Sequence, residues 1–166
     1  MPVNGFIAAM NSNNSMNGFF QDRLFIPLPC VKTNSPALDV GFPLNYERLL
    51  SFSAEAPAVM RNMVYPSSID DILTFQTISD VYQKYDIFID PHTAVAFAAA
   101  QKWKGHAHRI VLATGHPGKS ANTIKEATGK ILKIPESFTA LRRKCSPSAI
   151  IPPQLDAFKG AIKNYF

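Results

Sequence analysis

The sequence has 166 residues and a net charge of +5. This length fits a single domain over residues 1–166, and the 46% hydrophobic share excludes a disordered chain. The longest apolar run, residues 94–100, is far shorter than the roughly 20 residues of a membrane span. Lysines and arginines are spread along the chain, which argues against a nucleic-acid partner. With no basic leader at Met1, we expect a cytoplasmic protein with neither a membrane nor a nucleic-acid partner.

Strands and helices alternate along the chain. Apolar runs predict strands at 6–10, 87–89 and 109–113. Helices are predicted near 15–22, 45–52, 93–103, 119–128, 135–143 and 153–164. A further helix, capped by Thr74, has apolar residues at helical spacing: Phe75, Ile78, Val81, Tyr82 and Tyr85. Prolines between residues 23 and 43 exclude a long helix there.

This alternation is typical of an α/β fold, and we expect a partial three-layer αβα arrangement with a small parallel sheet. Three parallel strands would leave exposed sheet edges, whereas parallel sheets normally have both faces covered. Either a long loop holds strands that the pattern does not reveal, or polypeptide outside this chain completes the sheet. The low charged fraction of 17% also suggests apolar surface meant for a partner, including self-association.

Two short motifs follow predicted strands and precede predicted helices. The first is residues 90–95, Asp-Pro-His-Thr-Ala-Val, and the second is residues 112–119, Leu-Ala-Thr-Gly-His-Pro-Gly-Lys. Ligands of α/β proteins bind at the carboxyl ends of strands, so both motifs are candidate site segments. The glycine spacing of the second motif does not match a phosphate-binding P-loop.

Other chemical groups have simpler interpretations. Cys30 and Cys145 are far apart in sequence and are expected to be free thiols. His106 and His108 have a spacing that metal ligands use, but no third ligand is evident, and an exposed loop is the preferred interpretation. The asparagines at 11, 13 and 14 are expected to form a turn, with substrate contact as the alternative.

Together these segments resemble the C-terminal part of threonine synthase, a pyridoxal phosphate enzyme of the tryptophan synthase β-like fold type. The likeness extends over nearly the whole chain, and the order and spacing of its segments are more specific than any one of them. The segments that carry it are residues 6–14, 35–40, 45–50, 90–95, 112–119 and 151–155.

The resemblance implies a reaction and also an incomplete set of catalytic groups. Threonine synthase converts O-phosphohomoserine, a small anionic amino-acid phosphate, to threonine and phosphate as a pyridoxal phosphate-dependent lyase. In the family, the Schiff-base lysine and the Gly-rich loop for the cofactor phosphate precede the region that this chain matches. No lysine here stands in a matching motif, so the chain is expected to be inactive in isolation and to need the N-terminal half of such an enzyme.

The resemblance also implies site residues. Thr114 matches the hydroxyl residue that faces the pyridine nitrogen of the cofactor, and Asp90 and His92 are expected to line the same cleft near the ring. His116 and Lys119 are expected to meet the phosphate of the substrate. The alternatives are that Thr114 ends a strand and caps the next helix, and that both histidines are structural.

The second motif departs from the family at three positions. Gly115, Gly118 and Ser120 stand where usual members have Ala, Ala and Phe. Loss of an aromatic side chain changes the wall of the site or the helix packing. Substrate choice and the role of Lys119 are therefore open.

Three functions from different classes follow. The first is the C-terminal portion of a threonine synthase-like enzyme, as a fragment, a split gene product or a truncated chain. The second is a non-catalytic partner that binds a full-length enzyme or its own N-terminal half. The third is a stand-alone domain for a small ligand or phosphate, using the strand ends at Asp90 and Thr114.

Overall fold

A computed structural model describes residues 3–22, 25–55, 60, 62–105, 107–143 and 150–165. The chain divides into two compact units, Met1–Lys133 and Ile134–Phe166. The single domain expected over residues 1–166 stays a prediction. Within the described ranges, no helix combines the length and the apolarity needed to cross a membrane.

The first unit contains a small parallel sheet of two strands, β1 and β2. Strand β1 is Phe6–Met10 and strand β2 is Val64–Ser68. Phe6 pairs with Val64 at one end and Met10 pairs with Ser68 at the other. The predicted α/β class with a small parallel sheet is confirmed.

The first unit contains helices in addition to this sheet, and the second unit contains helices of its own. The first unit holds α1 (Asn17–Asp22), α2 (Tyr46–Glu55), α3 (Asp71–Tyr85), α4 (Pro91–Lys102) and α5 (Ala121–Thr128). The second unit holds α6 (Glu136–Arg143) and α7 (Leu155–Tyr165). Each lies within a few residues of its predicted position. Gly129, at φ +68°, ends α5 in the left-handed conformation that its sequence predicts.

The two faces of β1 contact different apolar clusters. Ile7 and Ala9 pack against Val95, Ala98 and Ala99 of α4. Met10 contacts the other cluster, which contains Met16, Phe19 and Met60 and is covered by side chains from α1 and α2. Because alternate residues of a strand point to opposite faces, the sheet is sandwiched between helices, as the three-layer prediction requires.

The strand assignments need correction. Residues 87–89 and 109–113 do not pair as strands among the described residues, although both are apolar. Phe88 and Ile89 instead pack with Ile78 of α3, whereas Ile110 and Leu112 are exposed. The second strand is β2, where Pro66 and two serines hide the strand pattern. Proline lacks a backbone donor and is tolerated in a strand at a sheet edge.

The start of α3 also differs from the prediction. Thr74 does not cap the helix; it lies within the first turns and its hydroxyl donates to the carbonyl of Asp70 at 2.7 Å. Asp70 is the N-cap, with a side-chain oxygen accepting from the Leu73 N–H at 2.8 Å. Of the apolar residues at helical spacing, Phe75, Ile78, Val81 and Tyr82 are expected in the core; Ile78 and Val81 are buried and the other two are half-buried, whereas Tyr85 is 51% exposed.

Candidate functional site

The first motif starts α4 through a buried carboxylate. Asp90 is the N-cap residue and only 3% of it is exposed. Its Oδ1 accepts from the Thr93 N–H at 3.1 Å and from the Thr93 hydroxyl, and its Oδ2 accepts from the His92 N–H at 3.3 Å. Pro91 at the first helical position needs no hydrogen-bond acceptor, which suits the start of a helix. The carboxylate charge is also favourable at the positive end of the helix dipole.

The second motif packs against this carboxylate at Gly115. A Cβ atom added at Gly115 would lie 2.8 Å from Oδ2 of Asp90 and 3.2 Å from its Cγ. Real Cβ contacts are essentially never shorter than 3.0 Å. The backbone at 115 therefore comes this close to Asp90 only because residue 115 has no side chain.

The residues before Gly115 are joined to the opposite end of α4. Nη1 of Arg109 donates to the carbonyl of Ala100 at 2.8 Å and to that of Trp103 at 3.2 Å. These carbonyls belong to the C-terminal end of α4, where carbonyls lack helical partners and cations are favourable. The segment 109–115 is thus attached to both ends of one helix.

A cleft of about 340 Å³ opens beside this helix and the end of β1. Its apolar wall includes Met10, Met16, Val95, Ala96 and Leu112. Its polar lining residues are Asn11, Asn13, Ser15, Ser35, His92 and Thr114. The structure therefore brings two residues of each motif to the same cleft, His92 and Val95 from the first and Leu112 and Thr114 from the second.

The polar wall of the cleft is a network held by Asp39. Its carboxylate accepts from the Thr33 backbone N–H at 2.9 Å, from the Thr33 hydroxyl at 2.6 Å and from the side-chain amides of Asn11 and Asn13 at 3.1 Å each. The Asn11 amide also donates to the hydroxyl of buried Ser35 at 2.9 Å. This network fixes the loop that holds residues 33–39 against the end of β1.

The asparagine turn was predicted, but its tertiary role was not. Asn11 Oδ1 accepts from the Asn13 N–H at 2.8 Å, which is the expected local turn. The same two side chains reach residues more than 20 positions away and line the cleft. The available signal was their position directly after a buried strand, where ligand sites of α/β folds form.

Thr114 is exposed in the cleft and its hydroxyl has no hydrogen-bond partner among the described residues. The alternative in which Thr114 caps the next helix is wrong. His116 is the N-cap of the 3₁₀ turn Pro117–Ser120, with Nδ1 accepting from the Gly118 N–H at 3.0 Å, and Ser120 occupies the N-cap of α5. The hydroxyl of Thr114 is therefore available to a ligand.

The five predicted site residues occupy different places. His92 and Thr114 line the cleft, whereas Asp90 lies beneath them as the buried cap of α4. His116 and Lys119 are exposed at the turn that leads into α5 and are not among the residues lining the cleft. The roles assigned to all five stay predictions.

Metal and thiol chemistry receive no further support. The described residues contain no group of three or more histidines, cysteines or acids that could hold a metal ion. His106 and Cys145 lie outside the described residues. Cys30 is a free, exposed thiol whose Sγ donates to the carbonyl of Asp39 at 3.0 Å.

The comparison with protein families and the comparison with curated proteins both give threonine synthase as what this chain is similar to. The family model described as "Threonine synthase, C-terminal" matches residues 93–162. Threonine synthase of Corynebacterium glutamicum is 28% identical over 96% of this chain, and that of Escherichia coli is 28% identical over 99%. A threonine synthase of Buchnera aphidicola is 31% identical over 81% of this chain. The chain spans 40%, 38% and 30% of the length of these relatives, respectively.

Solved structures support the fold. Threonine synthase from Escherichia coli superimposes with a TM-score of 0.86 at 25% identity, covering 99% of this chain and 38% of that one. The yeast enzyme superimposes with a TM-score of 0.81 at 22% identity, covering 98% and 42%. A structure of threonine synthase from Brucella melitensis, described as bound to pyridoxal phosphate, gives a TM-score of 0.80 at 22% identity. It covers 99% of this chain and 41% of that one.

Proposed function

We propose that this chain, which is similar in sequence and fold to the C-terminal portion of threonine synthases, forms one wall of a pyridoxal phosphate site. In this proposal the complete site converts O-phosphohomoserine to threonine and phosphate. The observation that carries the proposal is the hydroxyl of Thr114, which lines the cleft and has no partner among the described residues. The stand-alone domain and the non-catalytic partner gain no such support.

The described residues of the cleft are compatible with the pyridine ring of the cofactor. Its volume of about 340 Å³ lies at the lower end of the range for small-molecule sites. One side is apolar, with Val95, Ala96 and Leu112, which suits the face of an aromatic ring. The lining also includes the asparagines and Ser35, which suit polar substituents. No lysine occurs among the described residues lining the cleft, and in this proposal the Schiff-base lysine belongs to the N-terminal half of the complete enzyme.

Thr114 is proposed to donate a hydrogen bond from its hydroxyl to the pyridine nitrogen. Bound pyridoxal phosphate acts as an electron sink during chemistry at the amino-acid substrate. A threonine hydroxyl is a weak acid and leaves that nitrogen unprotonated, so it orients the ring while limiting electron withdrawal. A carboxylate at this place would instead hold the nitrogen protonated. Asp90 cannot take that role from its present position, because its oxygens accept from the start of α4.

His116 and Lys119 are proposed to contact the substrate phosphate. The two residues share one turn before α5, and a lysine ammonium forms charge-assisted hydrogen bonds with phosphate oxygens. Nδ1 of His116 accepts from the Gly118 N–H at 3.0 Å, which holds the ring at the start of this turn. The departures from the family at Gly115, Gly118 and Ser120 lie beside these groups. Substrate preference is therefore tested with O-phosphohomoserine and shorter or longer phosphorylated amino acids.

The first experiment tests two expectations separately: the chain alone does not attach the cofactor, and it completes an active enzyme when an N-terminal part is added. The purified chain is mixed with pyridoxal phosphate, reduced with borohydride and analysed by mass spectrometry; we expect no stoichiometric adduct at one lysine. A chimera joins the N-terminal part of the Escherichia coli threonine synthase, which lies outside the matched region, ahead of residue 3. We expect this chimera to form the reducible adduct and to release phosphate from O-phosphohomoserine. A folded chimera that forms the adduct but releases no phosphate from any phosphorylated amino acid would refute the proposed activity.

A further inference from the structure

The contact between Asp90 and Gly115 joins the two motifs that the sequence singled out. The Asp90 carboxylate is fixed on one side by three donors from the first turn of α4, the N–H groups of His92 and Thr93 and the Thr93 hydroxyl. On the other side its Oδ2 faces the Cα of Gly115, where a Cβ would lie only 2.8 Å away. Asp90 as a whole is only 3% exposed.

In this structure a side chain at position 115 is opposed by this contact and not by backbone conformation. Among the described glycines, only Gly129 has a positive φ angle, so alanine could adopt the backbone of residue 115 without strain. The obstacle to a side chain at 115 is therefore the Asp90 carboxylate itself. By contrast, a Cβ at Gly160 would meet nothing within 4 Å.

The extended length of residues 109–115 is close to the length of α4, the helix whose two ends this segment contacts. The 12 residues of α4 span about 18 Å at 1.5 Å per residue. The six steps from Arg109 to Gly115 span about 20 Å when extended. Arg109 binds the C-terminal carbonyls of α4 and Gly115 meets its N-cap. Between these anchors Ile110 and Leu112 are exposed, and no backbone hydrogen bond joins residues 109–113 to the other described residues.

We propose that Asp90 is a positioning residue for Thr114 and acts through Gly115. Since no backbone hydrogen bond joins residues 109–113 to the rest of the described chain, the contact at Gly115 sets where the preceding residue meets the cleft. Asp90 is then held by the start of α4, Gly115 is held against Asp90, and Thr114 is placed by its neighbour Gly115. The consequence for the site rests on the proposed role of Thr114, but the geometry can be tested without the cofactor.

The test uses the ¹⁵N-labelled 166-residue chain and its amide spectrum. Gly115→Ala should shift the Thr114 amide and lower Tm, because the new methyl group displaces the carboxylate or the loop. Asp90→Ser keeps one oxygen for the cap and removes Oδ2. The double variant Gly115→Ala/Asp90→Ser should regain most of the Tm lost by Gly115→Ala, and its Thr114 amide should return toward the wild-type position. Gly160→Ala is the matched control and should leave the Thr114 amide unchanged.

Asp90→Ser alone keeps the proposal testable if Gly115→Ala does not fold. A positioning role predicts that the Thr114 and Gly115 amides shift along with those at the start of α4. A role confined to capping predicts shifts only in α4, and that outcome would overturn the proposal. An unchanged Thr114 amide in Gly115→Ala would overturn the proposal as well. So would a double variant whose Tm is no higher than that of Gly115→Ala. Loss of phosphate release in the chimera bears on the proposed function alone, so the two failures are distinguishable.

Discussion

Helices α3 and α4 are consecutive, yet their ends are satisfied in different ways. In α3 both ends use neighbours in sequence: exposed Asp70 accepts from the Leu73 N–H at 2.8 Å, and the Asp86 N–H donates to the Tyr82 carbonyl at 2.8 Å. In α4 the N-cap Asp90 is buried beneath Gly115, and the C-terminal carbonyls accept from Arg109. Two aspartate caps of the same chemistry thus have different tertiary roles.

The difference bears on the proposed site. The capping residues of α3, Asp70 and Asp86, satisfy only their own helix, whereas Asp71 beside the N-cap accepts from the backbone N–H and the side-chain amide of Asn34. The ends of α4 also hold the segment that carries Thr114. A change at either end of α4 should therefore reach the cleft, whereas a change at the Asp70 cap of α3 should not.

The largest expected effect is at the N-caps. Asp90→Ala removes three accepted hydrogen bonds from a buried site and should lower the free energy of unfolding by about 2–3 kcal/mol. Asp70→Ala removes one exposed cap and should cost about 1 kcal/mol. Urea unfolding of both variants on the same day gives the comparison. Equal losses would mean that burial beneath Gly115 adds nothing to the cap.

A smaller loss is expected at the other end of α4. Arg109→Met keeps the apolar stem and removes the guanidinium that binds the carbonyls of Ala100 and Trp103. Because Arg109 is exposed, we expect a loss of about 0.5–1 kcal/mol. Lys130→Met, at an exposed lysine outside α4, is the matched control and should be nearly neutral. The contact is not stabilising if both variants melt like the wild type.

The smallest effect concerns the C-terminal end of α3 and depends on pH. Burial, the negative charge of Asp86 and a hydrogen bond to that carboxylate raise the pKa of Tyr82 above its ordinary value of 10.0. A group whose pKa is raised by folding stabilises the folded state fully below its unfolded pKa and loses that contribution as the pH rises through its folded pKa. The stability advantage of wild type over Tyr82→Phe should therefore be constant below about pH 9 and shrink above about pH 10. Urea titrations across this range provide the measurement, and an advantage that grows above pH 10 would contradict the assignment.

The sequence was sufficient to predict most helices, because periodic apolar residues and caps are local signals. Gly129 and the Ala-rich stretch of α4 are examples. Apolar runs were less informative about strands. Residues 87–89 and 109–113 look alike in sequence, but the first is partly buried against α3 and the second exposes Ile110 and Leu112. An apolar run indicates that a segment has a partner somewhere, and it does not identify the partner.

The candidate site was only partly accessible to sequence. The two motifs and their resemblance to threonine synthase predicted Thr114 and His92 as site residues, and both line one cleft. The network of Asn11, Asn13 and Ser35 was missed as a wall of that cleft, because hydrogen bonds between residues more than 20 apart leave no periodic signal. The dependence of Gly115 on Asp90 was hidden for the same reason, since a close approach of backbone to side chain is a property of the folded chain.

A pair of substitutions at Thr114 in the chimera tests most directly whether its hydroxyl contacts the pyridine nitrogen. Thr114→Val removes the hydroxyl at nearly constant volume, whereas Thr114→Ser keeps it. If the hydroxyl meets the pyridine nitrogen, Thr114→Val should lose about 1–3 kcal/mol of interaction and at least about tenfold in turnover, with little change in Tm. Thr114→Ser should retain most of the turnover. Normal turnover in Thr114→Val, measured with its Tm on the same preparation, would remove Thr114 from the site and contradict the proposed function of the cleft.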